Sequence, residues 1–361
     1  MATIDPAPVE ELGLVFAQDD EPGIRRTPSG AKAGFTYVGP DGRRVRDEAT
    51  LARIAALAVP PAWTDVWICP HPDGHVQATG RDARRRKQYR YHARFRAARE
   101  DAKYELLVPF GHALPQVRRA ITADLARPGV PRERVLALVV RLLELTAIRV
   151  GNDEYAKANR SYGLTTMLDR HARFGADGLC FEFRGKSGKE HSVQVCDRRM
   201  AKLVRTCQEL PGQRLFQYVD DNGQRLPVTS TDVNAYLREL AGLDDVTAKT
   251  FRTWAGTLRV ASSLARRERP TSDRDAKRTL TSVITAVAGE LGNTPAVCRA
   301  SYVHPLVTSS FLAGTLPDRW QQGPARASRW LSVSERRLLH LLAEGGVDVA
   351  LDAVGTDSAA A

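Results

Sequence analysis

The sequence predicts an α+β protein: a small β-rich N-terminal domain followed by a larger, mainly α-helical domain that contains one β-hairpin. Three observations lead there. Between Gly34 and Tyr91, short alternating segments are cut by turn-forming residues. After about Asp101 the apolar residues recur at helical spacing. That helical run is interrupted once, at 178–196, by two short alternating segments.

Taken in order, residues 1–33 are rich in Pro and Asp and read as a loose lead-in. Residues 34–100 form the β-rich domain. Its strands are expected at Gly34–Gly39, Asp65–Pro70 and His75–Gly80, with turns at Pro40-Asp41-Gly42, Pro60-Pro61 and His71–Gly74. The spacing of Leu51, Ile54, Ala55 and Leu57 predicts one short helix between them. The stretch 81–100 is the most basic of the chain and leads out of this domain.

Residues 101–361 form the helical domain. Val135–Ile148 is apolar nearly all round, so it should be a buried helix. Leu179–Gly185 and His191–Val195 should be strands joined by the loop Lys186-Ser187-Gly188-Lys189. Helices are expected near 197–209, 231–241, 247–267 and 273–291, with Asp232 and Asp273 close to helix starts where a carboxylate is favoured. The last residues, Val354–Ala361, read as a frayed tail.

The chain carries 53 Lys and Arg against 42 Asp and Glu, a formal net charge of +11, which suits a polyanionic partner such as nucleic acid. The five cysteines, Cys69, Cys180, Cys196, Cys207 and Cys298, are scattered without a CxxC pair or a histidine cluster. That pattern supports neither a disulfide framework nor a zinc site. The first residues lack the basic-then-apolar order of a signal peptide, and no apolar run approaches the roughly 18 residues of a membrane span. The expected setting is a reduced cytoplasm.

Four short motifs carry chemistry when taken together. Arg149, in Ile148-Arg149-Val150-Gly151-Asn152, ends the most apolar helix, where a guanidinium needs an anion. Alone it reads as a buried arginine paired with Glu144 or Asp153. Lys186 lies in a hairpin loop, a place where lysines are usually solvated but from which one can reach a phosphodiester. Arg252, in Lys249-Thr250-Phe251-Arg252-Thr253-Trp254, reads by itself as an arginine packed on Trp254. In the fourth motif Gly292 can end one helix, while Thr294 and Pro295 suit the start of the next. Tyr302 then falls about two turns into that second helix, with Pro305 just beyond.

In order and spacing, the series Arg149, Lys186, Lys249-x-x-Arg252, Gly292-Asn293-Thr294-Pro295 and Tyr302 resembles the active-site series of type IB DNA topoisomerases, in particular the small bacterial and poxvirus-like form. Gly80-Arg81-Asp82 and Arg86-Lys87-Gln88-Tyr89-Arg90-Tyr91 look like the family's segment that lies in the DNA major groove. Asn152, Tyr155 and Lys157 stand where the family places backbone-contacting residues, and the resemblance implies that Lys249 is a further DNA contact. The resemblance spans about residues 34–315.

It implies a tyrosine-recombinase-like catalytic domain and a β-rich N-terminal domain that clamps double-stranded DNA. It also implies a monomer at the nucleoid that needs neither metal nor any other cofactor. Tyr302 would form a 3′-phosphotyrosyl link, Arg149 and Arg252 would bind the phosphate oxygens, and Lys186 would protonate the leaving 5′-hydroxyl. Strand rotation before religation would relax supercoils of either sign. Many members have His where this chain has Asn293. Asn can donate one hydrogen bond but cannot carry charge or pass a proton. Two rivals are a tyrosine recombinase, which typically reads His-x-x-Arg at the second arginine, and an architectural DNA-binding protein, which would not need the ordered Arg–Lys–Arg–Asn–Tyr set.

Overall fold

The alternating segments of the N-terminal part pair into one antiparallel sheet, and the periodic segments after it become a helical array. The computed structural model describes residues 7–29, 34–176 and 178–355. Two compact units divide the chain, Met1–Ala102 and Lys103–Ala361.

In the first unit, helix α1 (Ala7–Glu11) precedes strands β1 (Ile24–Pro28) and β2 (Phe35–Val38), helix α2 (Glu48–Ala56), and strands β3 (Thr64–Ile68), β4 (Val76–Arg81) and β5 (Lys87–Tyr91). The strand order is β2-β1-β3-β4-β5. Strand alternation gives β3 two buried faces. Val66 and Ile68 pack with Ile24, Ile54 and Ala78, whereas Trp67 packs with Ala17, Cys69 and Val76. Asp47 caps α2, its carboxylate accepting from Thr50 N at 2.8 Å.

The expected loose lead-in, 1–33, is corrected over its described part: it supplies α1 and β1. Trp67 explains why this order was silent in the sequence. Its indole donates to Glu21 O at 3.0 Å, and a methyl at Gly23 would lie 2.0 Å from its Nε1. The segment is ordered by distant partners, the pairing of β1 with β2 and β3 and the cover of Trp67, not by a pattern of its own.

Helix α3 (Ala93–Glu105) leads into the second unit. There follow α4 (Leu107–Asp124), α5 (Arg132–Thr146), α6 (Asp153–Asn159), a three-stranded sheet of β6 (Ala172–Gly175), β7 (Gly178–Arg184) and β8 (Glu190–Val195), and α7 (Arg198–Gln208). The small pair β9 (Gln217–Val219) and β10 (Arg225–Pro227) precedes α8 (Ser230–Ala241), α9 (Ala248–Ala265) and α10 (Asp273–Glu290). Last come α11 (Pro295–Tyr302), α12 (Pro305–Leu312), α13 (Leu316–Gln322) and α14 (Val333–Gly355).

Helix α5 is largely buried, as its composition predicts: Val135 through Val140, Leu142 and Leu143 are all buried, whereas Leu145 near its end is exposed. They pack with Phe110 and Leu114 of α4 and Val260 and Leu264 of α9 in one core. Removing one such side chain to Ala would cost roughly 2–5 kcal/mol, because the cavity is only partly refilled. The expected hairpin is present, with Arg184 opposite Glu190, and β6 adds a third strand that the sequence did not announce. Asp232 forms a capping box with Thr229, and Asp273 stands in the first turn of α10 behind the cap Ser272. Arg118 of α4 joins Glu144 of α5 (2.6 Å) to Glu335 of α14 (2.5 Å), tying the C-terminal helix into the core. All five cysteines are free. Residues 356–361 of the expected tail lie outside the described residues. Among the described residues no helix is long and apolar enough to cross a membrane, and no group of three or more His, Cys, Asp or Glu is arranged to hold a metal ion.

Candidate active site

Arg149 follows α5, whose last turn is closed by Ala147 in the left-handed region (φ 52°). The segment after it is held by Leu164 N donating to Arg149 O (2.9 Å) and Thr165 N donating to Val150 O (2.7 Å). Gly163 makes this approach possible, because a methyl there would lie 2.5 Å from Arg149 O. The side chain does not take either carboxylate that the sequence offered. Glu144 is bound by Arg118 and Arg141, and Asp153 is bound by Arg214. Arg149 instead donates through Nη2 to Asn293 Oδ1, with Gly292 O at 3.5 Å.

Arg252 lies on α9 and is 4% exposed. Its Nη1 donates to Ala147 O and its Nη2 to Leu291 O at 2.8 Å. Those carbonyls close α5 and α10. The cation therefore sits at the negative ends of two helix dipoles and uses acceptors that a helix end leaves unmatched. Burial still holds its guanidinium below the ordinary value, with the Arg149 charge adding to that and Tyr302 opposing it. Arg252 is not packed on Trp254. Its Cζ lies 5.0 Å from the centre of the Tyr302 ring, while Trp254 meets Phe110 at 6.0 Å.

Tyr302 is the last residue of α11, which Thr294 caps by accepting from Val297 N at 3.3 Å, with Pro295 in the first turn. The end of α11 is held from two sides. Thr257 Oγ1 donates to Tyr302 O (3.2 Å) and accepts from His304 N (3.1 Å). Tyr104 OH donates to Ala300 O (3.0 Å), and its ring packs 5.1 Å from that of His304. Gly256 permits the helix contact, since a methyl there would lie 2.5 Å from Tyr302 O. Burial pushes the Tyr302 phenol up, but Arg252, Arg149 and Lys249 together outweigh it and leave the group below its ordinary value.

Asn293 follows Gly292, which has φ +62°, and its backbone N donates to Ala288 O at 2.8 Å. Its Oδ1 is taken by Arg149, while its Nδ2 is buried with no partner among the described residues. A buried amide with a spare donor fits an oxygen ligand. Lys186 is exposed in the β7–β8 turn, which Gly185 N closes onto Lys189 O at 2.7 Å, with Ser187 at φ 65°.

These groups share one cavity of about 560 Å³, lined by Arg149, Asn152, Tyr155, Lys186, Lys249, Arg252 and Tyr302 among others. Asn293 adjoins it through Arg149. Asn152 also caps α6, accepting from Tyr155 N at 2.9 Å. Lys157, on the same short helix, is exposed and does not line the cavity.

In the first unit the remaining predicted residues cluster on β4, β5 and the turn between them. Arg86 pairs with Asp82 at 2.6 Å, Gln88 Nε2 donates to Asp82 (3.1 Å), and Lys87 pairs with Asp19 at 2.7 Å. Tyr89 and Tyr91 stack at 5.8 Å on one face, and Arg81 meets Asp65 at 3.5 Å. Hydrogen bonding from Arg86 brings the Asp82 carboxyl down to about 2.

Sequence reasoning missed the residues that seat the others: Gly163, Gly256, Thr257 and His191. The one available signal was in β8, where alternation puts His191 on the face that also carries the buried Val195.

Comparison with known proteins identifies a family. The family described as eukaryotic DNA topoisomerase I, catalytic core, matches residues 92–309, and bacterial DNA topoisomerase IB, N-terminal domain, matches residues 34–82. DNA topoisomerase 1B of Acanthamoeba polyphaga mimivirus is 31% identical over 288 residues, 78% of this chain and 85% of the relative. DNA topoisomerase 1B of vaccinia virus (strain Copenhagen) is 25% identical over 119 residues, 32% of this chain and 37% of the relative. DNA topoisomerase I of monkeypox virus is likewise 25% identical over 119 residues, with the same coverage.

Proposed function

Because the chain belongs to the type IB DNA topoisomerase family and is therefore a DNA topoisomerase, we propose that it cuts one strand of duplex DNA with Tyr302, lets the strand rotate, and reseals it. The observation that carries this reading is the convergence of Tyr302, Arg149, Arg252 and Lys186 on one cavity. Tyr302 Oη attacks phosphorus in line with the 5′ oxygen. The new Tyr302–phosphorus bond leaves a 3′-phosphotyrosyl link as the bond to the 5′ oxygen breaks. Lys186 Nζ delivers a proton to that oxygen, and the phenol's proton passes to solvent, its loss eased by the surrounding cations. Arg149 and Arg252 donate to the non-bridging oxygens, and Asn293 Nδ2 adds a neutral donor.

Religation is the same path reversed. One phosphodiester is exchanged for another, so no nucleotide is consumed, and the arginines supply the charge compensation that a metal ion would otherwise provide. Asn152, Tyr155, Lys157 and Lys249 contact the DNA backbone. Arg81, Arg86, Lys87, Gln88, Tyr89 and Tyr91 add phosphate and base-edge contacts. One polypeptide supplies every catalytic group, which supports action as a monomer, at the nucleoid in the cytoplasm.

Relaxation of negatively and positively supercoiled plasmid in EDTA without ATP tests the reading. The wild type should relax both, and Tyr302→Phe should bind duplex yet relax neither. Relaxation by Tyr302→Phe, or a requirement for metal or ATP, would overturn it.

A further inference from the structure

His191 stands on β8 directly opposite Phe183 of β7 and stacks on it, with ring centres 5.0 Å apart and planes 11° from parallel. The imidazole touches two glycines that are far apart in sequence. A methyl at Gly185, the residue before Lys186, would lie 2.5 Å from His191 Cδ2. A methyl at Gly292, the residue before Asn293, would lie 2.3 Å from His191 Cε1. The ring thus fills the space between the turn that carries Lys186 and the turn that carries Asn293. Arg149 and Arg252 line the small space beside it.

The two sides of this contact are held very differently. The Asn293 side is anchored by its own bonds, Asn293 N to Ala288 O and Arg149 Nη2 to Asn293 Oδ1. The Lys186 turn is closed by hairpin bonds internal to it, Gly185 N to Lys189 O and Gly188 N to Gly185 O, and at its base Arg184 O accepts from Tyr162 N at 2.7 Å. None of these bonds runs to the Asn293 side, so they shape and seat the turn without spacing it from that side.

We propose that His191 is a positioning residue that spaces the Lys186 turn against the Arg149–Asn293 side, so that the Lys186 ammonium meets the leaving 5′ oxygen. The inference rests on the roles given above to Lys186 and Asn293. The imidazole acts as a neutral, flat spacer. Burial holds it below its ordinary range, and Arg149, Arg252 and Lys189 add to this against the opposing carboxylate of Glu190. A charged ring there would repel the cations that the phosphate needs. Positioning matters because proton transfer requires hydrogen-bond reach, and an ångström of misplacement is enough to lose most of it.

The test is single-turnover cleavage of a duplex whose scissile phosphate carries either a normal 5′ oxygen or a bridging 5′ sulfur. A thiolate leaves without being protonated, so the sulfur substrate is insensitive to a misplaced acid. His191→Ala should cleave the oxygen substrate about 10-fold or more slowly and the sulfur substrate at close to the wild-type rate, with duplex affinity unchanged. His191→Gln, which keeps a flat polar group, should show the same pattern to a smaller degree. Wild-type cleavage of the oxygen substrate by His191→Ala, or equal slowing on both substrates, would overturn the proposal. Lys186→Ala run in parallel separates the two readings. If sulfur rescues Lys186→Ala but not His191→Ala, only the spacer role falls. If sulfur rescues neither, the acid assignment to Lys186 falls and the spacer role with it.

Discussion

Arg252 on α9 and Lys186 in the β7–β8 turn face the same cavity from opposite environments. Arg252 is 4% exposed, gripped by the carbonyls that end α5 and α10, and lies under the Tyr302 ring. Lys186 is exposed on a turn. A group that must stabilise charge throughout the reaction gains from being fixed in a dry site, where its interactions are strong and need no reorganisation. A group that delivers one proton, the role proposed for Lys186, has to reach an oxygen and retreat. The difference also implies a difference in stability. Burial works against the Arg252 charge even with its partners in place, whereas Lys186 stays solvated.

The largest expected effect of breaking this contrast is at Arg252. Arg252→Met keeps the volume and removes the charge, so strand cleavage should fall by about 10³-fold. The Tm should fall as well, since the Ala147 and Leu291 carbonyls lose their donor. An unchanged or raised Tm would mean that the burial of the cation, not its carbonyl contacts, dominates the free energy of that residue. Lys186→Ala should slow cleavage by about 10²-fold, within the usual range for loss of a general acid, and leave Tm unchanged. A Tm loss there would show that the turn depends on the lysine for its shape.

The smallest effect lies on the Tyr302 side of the cavity. His304 caps α12 by accepting from Leu306 N at 3.1 Å, and burial lowers its pKa to about 4. An unfolded histidine titrates near 6.5. Between those values only the unfolded chain takes up the proton, so stability should fall as pH drops from about 6.5 toward 4 and level off below. With each pKa unit worth about 1.4 kcal/mol, the total is roughly 3 kcal/mol. His304→Asn keeps a capping acceptor and removes the titration, so urea unfolding of the variant between pH 7 and 4.5 should show a shallower decline. An unchanged slope would assign the acid sensitivity to other groups.

Much of the fold was legible because its elements announce themselves locally. The apolar run Val135–Val140 of α5, the alternation of β7 and β8, and the Gly292-Asn293-Thr294-Pro295 junction each follow from short-range chemistry. The strand β1 did not, because only Ile24 among its residues is buried. Its place comes from pairing with β2 and β3 and from the cover that its neighbours give Trp67. The candidate residues were legible as a set in order along the chain, and Arg149, Lys186, Arg252 and Tyr302 do line one cavity. Their individual partners were not legible. Sequence proximity offered Glu144 and Asp153 to Arg149, and Trp254 to Arg252. Both carboxylates are taken by other arginines, and Trp254 turns toward Phe110.

The sequence by itself determined the α+β class, the charge that suits a polyanion, and the order of reactive residue types, because each is a property of composition or of neighbours within a few positions. Only the tertiary structure decided what those residues meet. Arg252 finds its acceptors at helix ends 105 and 39 positions away, and the Thr257 hydroxyl that holds the backbone of Tyr302 lies 45 positions before it. His191 reaches Gly185 within its own hairpin but Gly292 only through the fold. Such contacts depend on how whole helices and strands pack, and packing is set by the shape of the entire core, not by any local pattern.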